Sequence, residues 1–184
     1  MTAPTHKLRD RLIDELIARE GGYVDDKNDS GGKTNYGITE RVARRHGYRG
    51  DMRGMPRAKA VEIYAAQYWD ALRLDEACFL SQKLAEKLFD IGANCGTAKA
   101  AEWLQRALNA FNRQGKDYPD VQVDGDVGPA TVFALKSLAA KRGTPGLESL
   151  RKAVTCMQGE HYIALSEKRS KDEEFVNGWF ANRV

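Results

Sequence analysis

Between residues 20 and 39 the chain reads Glu20-Gly-Gly-Tyr-Val-Asp-Asp-Lys-Asn-Asp-Ser-Gly-Gly-Lys-Thr-Asn-Tyr-Gly-Ile-Thr39, with four acids, five glycines and two tyrosines in one stretch. Irregular segments held by a rigid scaffold are where catalytic groups concentrate. Three chemistries compete for this one. A phosphate-cradling loop would end on Gly32-Lys33-Thr34, but its first glycine falls on Lys27 and no apolar helix follows Thr34. A calcium loop starts well at Asp26-x-Asn28-x-Ser30-Gly31, yet Gly37 stands where a bidentate glutamate is required. The segment Asp120-Val-Gln-Val-Asp124-Gly125 fails the same test at Thr131. Turn chemistry accounts for both loops, and no metal is assigned to either.

Paired carboxylates are the third chemistry. Cleaving a glycosidic bond takes a protonated acid beside the leaving oxygen and a second group that stabilises the oxocarbenium-like state or positions water. Glu20, at the end of an amphipathic helix and beside Tyr23, is expected to be partly withdrawn from water, where an acid keeps its proton more readily. Asp29 follows nine residues on, and a hairpin would bring it back to face Glu20. The Thr34 hydroxyl can hold a water or orient a carboxylate. Residues alone also allow a helix C-terminus followed by a polar turn, with no catalysis.

The elements that would position these groups are mostly helical. Leu8, Leu12, Ile13, Leu16 and Ile17 line one face of a first helix that runs into Glu20 and ends at Gly21-Gly22. Residues 23–38 break that period and read as a small β-hairpin or loop insertion. Thr39 is a candidate N-cap for a short helix to about His46, and Pro56 opens a helix over 57–70 with Val61, Tyr64, Ala65 and Tyr68 on one face. Further helices are expected at about 81–93, 97–111, 129–141, 146–168 and 175–182. The fold class is therefore mainly α with one small β excursion. Trp69, Trp103 and Trp179 are read as core residues, and Tyr23 and Tyr36 as the aromatics placed to stack on a ligand.

Composition narrows the class of protein. The 184 residues carry 29 Lys+Arg against 26 Asp+Glu, a net charge of +3, which excludes the clustered basic excess of a histone-like nucleic-acid binder. Seven of the basic residues fall between Arg41 and Lys59, against the single acid Asp51. Such a run is usually a solvated face, and it would also speed encounter with a polyanionic substrate. Cys78, Cys95 and Cys156 lack disulfide or zinc-site spacing and are expected as mostly buried thiols. The N-terminus shows no signal-peptide pattern and no run reaches a membrane span, so no stable membrane insertion is expected.

The ordered set Glu20-Gly-Gly-Tyr23, then Asp29-x-Gly31-Gly32-x-Thr34-Asn35-Tyr36-Gly37-Ile38-Thr39, resembles the signature of family 108 glycoside hydrolases, N-acetylmuramidases of phage and bacterial origin. The resemblance implies a lysozyme-like helical fold and carries the catalytic acid onto Glu20. It implies roles for Asp29 and Thr34 as well, although phage-type lysozymes place five residues between Asp and Thr where this chain has four. In the second half, Asp124-Gly125-x-x-Gly128-x-x-Thr131, preceded by Leu104-Gln105, resembles peptidoglycan-binding helical modules, and for most of its residues a fold-shaping role is expected. Phe89-Asp90-Ile91-Gly92-Ala93-Asn94-Cys95-Gly96 resembles the start of the family's C-terminal region. Asp90 and Asn94, one turn apart, would either line a sugar cleft or bond the helix end.

The resemblance thus implies a catalytic lobe at 1–91 and a helical peptidoglycan-binding lobe at 92–184, packed as one compact monomeric unit. Peptidoglycan is the partner, no nucleic acid is bound, and the chemistry needs no cofactor. Without a signal peptide, a holin or another export route would carry the chain to the wall. Two rivals use the same residues: a lytic transglycosylase acting on the same bond, and a non-catalytic wall-binding protein.

Overall fold

The computed structural model of the chain describes residues 3–24 and 32–184, which form a mainly α-helical protein with one small antiparallel hairpin. Two compact units divide between Asp70 and Ala71.

In the first unit, helix α1 (Ala3–Glu20) buries Leu8, Ile13, Leu16 and Ile17 against helix α3 (Arg57–Tyr64) and the π-helical turn Ala65–Asp70 that continues it. Burying one such side chain contributes about 1.5–3 kcal/mol. Gly21 (φ 80°) ends α1, because a left-handed residue cannot extend the helix and glycine adopts that conformation without strain. Strands β1 (Thr34–Asn35) and β2 (Ile38–Thr39) pair in the register Thr34–Thr39 and Asn35–Ile38, and Val24 joins β1 through two backbone hydrogen bonds to Thr34. Thr39 then caps helix α2 (Glu40–Arg45), its hydroxyl accepting from the Val42 N–H, as its position in the sequence predicts.

The basic run that follows is largely engaged locally. Arg44 pairs with Glu40 and donates to the Tyr48 and Gly50 carbonyls, Arg57 pairs with Asp14, and Lys59 pairs with Glu62.

The second unit is built of longer helices: α4 (Leu74–Leu80), α5 (Gln82–Cys95), α6 (Thr97–Phe111), α7 (Pro129–Lys168) and α8 (Glu173–Arg183). Helix α7 packs on α4, α5, α6 and α8 and gathers a core that includes Leu84, Leu88, Leu104, Leu108, Leu138 and Leu150. It bends at Gly143 (φ 57°), two residues before Pro145, where the sequence predicts a break between two helices. The 57–70 helix differs from expectation: its last six residues are π-helical, and Trp69 is wholly buried there. Of the three thiols only Cys78 is buried; Cys95 is half-buried and Cys156 exposed.

Candidate active site

The site is organised by a two-residue turn. Tyr36 (φ 53°) and Gly37 (φ 72°) link the two strands, and positive φ at both central positions makes a type I′ hairpin turn. Glycine takes this conformation readily, whereas tyrosine is strained in it. Two contacts hold the strained geometry. The Tyr64 hydroxyl donates to the Tyr36 carbonyl at 2.6 Å, and the neighbouring Asn35, buried, donates its side-chain N–H to the Met52 carbonyl at 2.7 Å.

The turn closes on Glu20. A Cβ placed on Gly37 would lie 2.7 Å from Glu20 Oε2, 2.8 Å from Glu20 Cβ and 2.9 Å from the Tyr64 hydroxyl. A Cβ there would force the acid or the tyrosine to shift. The Tyr64 ring stacks on that of Tyr68, one π-turn further along, with centroids 5.8 Å apart and planes 19° from parallel. Burial first, and then the negative charge of Glu20, push both phenols up, Tyr64 well above the usual tyrosine range. Glu20 itself is exposed. The desolvation expected at the acid therefore falls on its two tyrosine neighbours.

The other predicted residues are placed as follows. Thr34 is half-buried on β1, bonded through its backbone to Val24. Tyr23 is half-buried with the Arg53 guanidinium 4.9 Å from its ring centroid, and Tyr36 is half-buried in the turn. Asp29 lies outside the described residues. Asp90 and Asn94 belong to the second unit. There Asp90 Oδ1 accepts from Arg183 (2.7 Å) and Asn94 (2.9 Å), and Oδ2 accepts from Gln158 (2.9 Å). Tyr64 and Tyr68 escaped the sequence reading as site residues because their i, i+4 spacing on an apolar face is that of a core.

The Asp-Gly motif of the second unit is anchored to one buried side chain. Gln105, almost fully buried, donates to Asp124 Oδ1, the Asp126 carbonyl and the Thr131 hydroxyl, and accepts from the backbone N–H groups of Asp124 and Gly125. These residues tie the 112–128 connection to α6 and to the start of α7.

The class of protein comes from comparison with known families. Residues 13–96 match the family Glycosyl hydrolase 108, and residues 99–184 match the Predicted Peptidoglycan domain. The two matches divide the chain into a glycosyl hydrolase 108 region and a C-terminal peptidoglycan-binding domain, which makes it a peptidoglycan hydrolase. No curated protein matches it. Among solved structures, Brucella abortus SagA is similar, with 24% identity over 94% of each chain and a TM-score of 0.52, a likeness that extends to the fold. No helix among the described residues is long and apolar enough to cross a membrane.

Proposed function

We propose that the chain is an N-acetylmuramidase that hydrolyses the β-1,4 bond between N-acetylmuramic acid and N-acetylglucosamine, with Glu20 as the general acid. The observation that carries this reading is the closure of the Tyr36-Gly37 turn on Glu20, which joins the two halves of the 20–39 signature around one carboxyl group. Glu20 protonates the glycosidic oxygen as the bond to the muramic acid anomeric carbon breaks. Asp29 stabilises the developing positive charge or activates the attacking water, and the Thr34 hydroxyl orients that water. Tyr23 and Tyr36 contact the saccharide, and Tyr64 and Tyr68 hold the turn and the acid in place. Asp90 and Asn94, in the unit that begins at Ala71, bond to each other near the end of α5 and border a sugar cleft there, with Asp90 also held by Gln158 and Arg183.

The test is digestion of purified sacculi. The wild-type chain clears them and Glu20→Gln does not; clearing by both at similar rates would remove Glu20 from the mechanism. A chain that binds sacculi and releases no fragment would be a wall-binding protein.

A further inference from the structure

The second unit holds a cavity of about 430 Å³ that the chemistry at Glu20 does not use. It lies where the end of α5 meets the later half of α7 and α8. Its volume falls in the range of about 300–1,000 Å³ that small-ligand sites occupy. One part of its lining is aromatic: the Tyr162 and Trp179 rings lie 4.9 Å apart, and Phe175 stacks on Trp179 at 6.1 Å and 27°. Another part is cationic, supplied by Arg169 and Arg183.

Both guanidiniums are held in place by carboxylates of the protein. Arg183 donates to Asp90 Oδ1 at 2.7 Å, and Arg169 pairs with Asp172 Oδ2 at 2.5 Å. The Arg183 hydrogen bond and the Arg169 ion pair engage only part of each guanidinium's five donors, so an anchored arginine can still bind a ligand oxygen. Burial, followed by the charges of Lys99, Lys168 and Arg169, holds the His161 imidazole on the cavity wall below its usual range, although Glu160 opposes them.

Fixed guanidiniums beside stacked aromatic faces suit a ligand that carries a carboxylate next to an apolar surface. Neutral sugars have the surface without the charge. Peptidoglycan offers the combination in two places, the carboxylates of the stem peptide and the lactyl carboxylate of muramic acid residues that carry no peptide.

We propose that this cavity is the recognition subsite of the second unit for a free carboxylate of peptidoglycan, with Arg169 binding the carboxylate and Trp179 stacking on the group that bears it. The inference rests on peptidoglycan being the substrate and is independent of which residues cleave it.

The experiment uses the full ¹⁵N-labelled chain and follows the Trp179 indole N–H by NMR. Three soluble probes are titrated: a stem tetrapeptide, N-acetylmuramic acid, and chitotriose as the uncharged control. Saturable shifts with the peptide alone assign the stem, shifts with N-acetylmuramic acid alone assign the lactyl group, and shifts with both assign the shared carboxylate. Chitotriose leaves the resonance in place, and added salt weakens the response. Arg169→Gln, at a half-exposed position, weakens binding about tenfold, as expected for loss of a charge-assisted hydrogen bond. Trp179→Ala weakens it as well, read on neighbouring amides, while the rest of the spectrum reports an intact fold.

An indole resonance unmoved by either carboxylate, moved equally by chitotriose, or titrating identically in Arg169→Gln would overturn the proposal. Sacculus digestion by the same preparation separates the two levels. Active enzyme with a silent cavity removes the subsite alone, whereas a chain that neither digests nor retains sacculi removes the peptidoglycan reading too.

Discussion

The two units spend their polar motif residues in opposite ways. In the first, the Tyr36-Gly37 turn closes on the exposed carboxyl group of Glu20, with a strained tyrosine and a glycine with no room for a Cβ at its centre. In the second, the Asp-Gly motif is tied to the buried Gln105, whose side chain engages the exposed Asp124, the Asp126 carbonyl and the buried Thr131 hydroxyl. Two motifs of similar composition therefore do different work. Residue types alone do not separate a site from a structural knot; the partners that the polar groups find in the fold do.

The largest expected effect lies at the acid. Glu20→Gln is nearly isosteric and exposed, so sacculus lysis should fall by about 10²–10⁴-fold while unfolding free energy stays within about 0.5 kcal/mol of wild type. Next comes the turn. Gly37→Ala should cost about 1–3 kcal/mol of stability through strain and reduce turnover by about 10–100-fold through displacement of Glu20. Gly47→Ala is the control, since its φ of 80° is equally strained for alanine but nothing lies within 4 Å of the added methyl. It should lose stability in a thermal melt and keep its activity per folded molecule. Equal activity losses in the two variants would show that the Gly37 contact with Glu20 has no catalytic consequence.

Gln105→Ala reverses the pattern. It strands the buried Thr131 hydroxyl and the part-buried backbone N–H groups of Asp124 and Gly125, and should cost about 1–3 kcal/mol in urea unfolding, with activity per folded molecule on a soluble substrate unchanged. The smallest effect belongs to Asp124. The Gln105 side-chain N–H, followed by the Asp126 backbone N–H, holds its carboxyl below the usual carboxylate range. A depressed folded-state value means the contribution is present above the unfolded titration range and is lost as pH falls through the folded one. The stability difference between wild type and Asp124→Asn should therefore shrink in acid; a difference constant with pH would contradict the assigned hydrogen bonds.

Much of this was legible in the sequence, for identifiable reasons. Helices α5 and α6 carry clear apolar stripes, Thr39 and Pro56 mark helix starts, and Gly143 with Pro145 marks the bend in α7. Helix α4 was not legible: it is seven residues long and begins after Arg73 in a left-handed conformation (φ 48°), where no capping residue signals a start. The π-turn at 65–70 was hidden because its apolar pattern continues that of α3. At the site, the sequence pointed to Glu20 and the Asn35–Ile38 turn through their motif, but Tyr64 and Tyr68 looked like core because only tertiary packing brings them to the acid. Trp179 was read as core for the converse reason. Helix α8 has no fully buried face, and the tryptophan sits half-buried on a cavity wall.

The most direct measurement of the central claim is mass spectrometry of the fragments released from purified sacculi in H₂¹⁸O. Hydrolysis by a muramidase predicts fragments that end in a reducing N-acetylmuramic acid carrying one ¹⁸O, formed by wild type and missing with Glu20→Gln. Anhydromuramic ends without the label, or reducing N-acetylglucosamine ends, would contradict it.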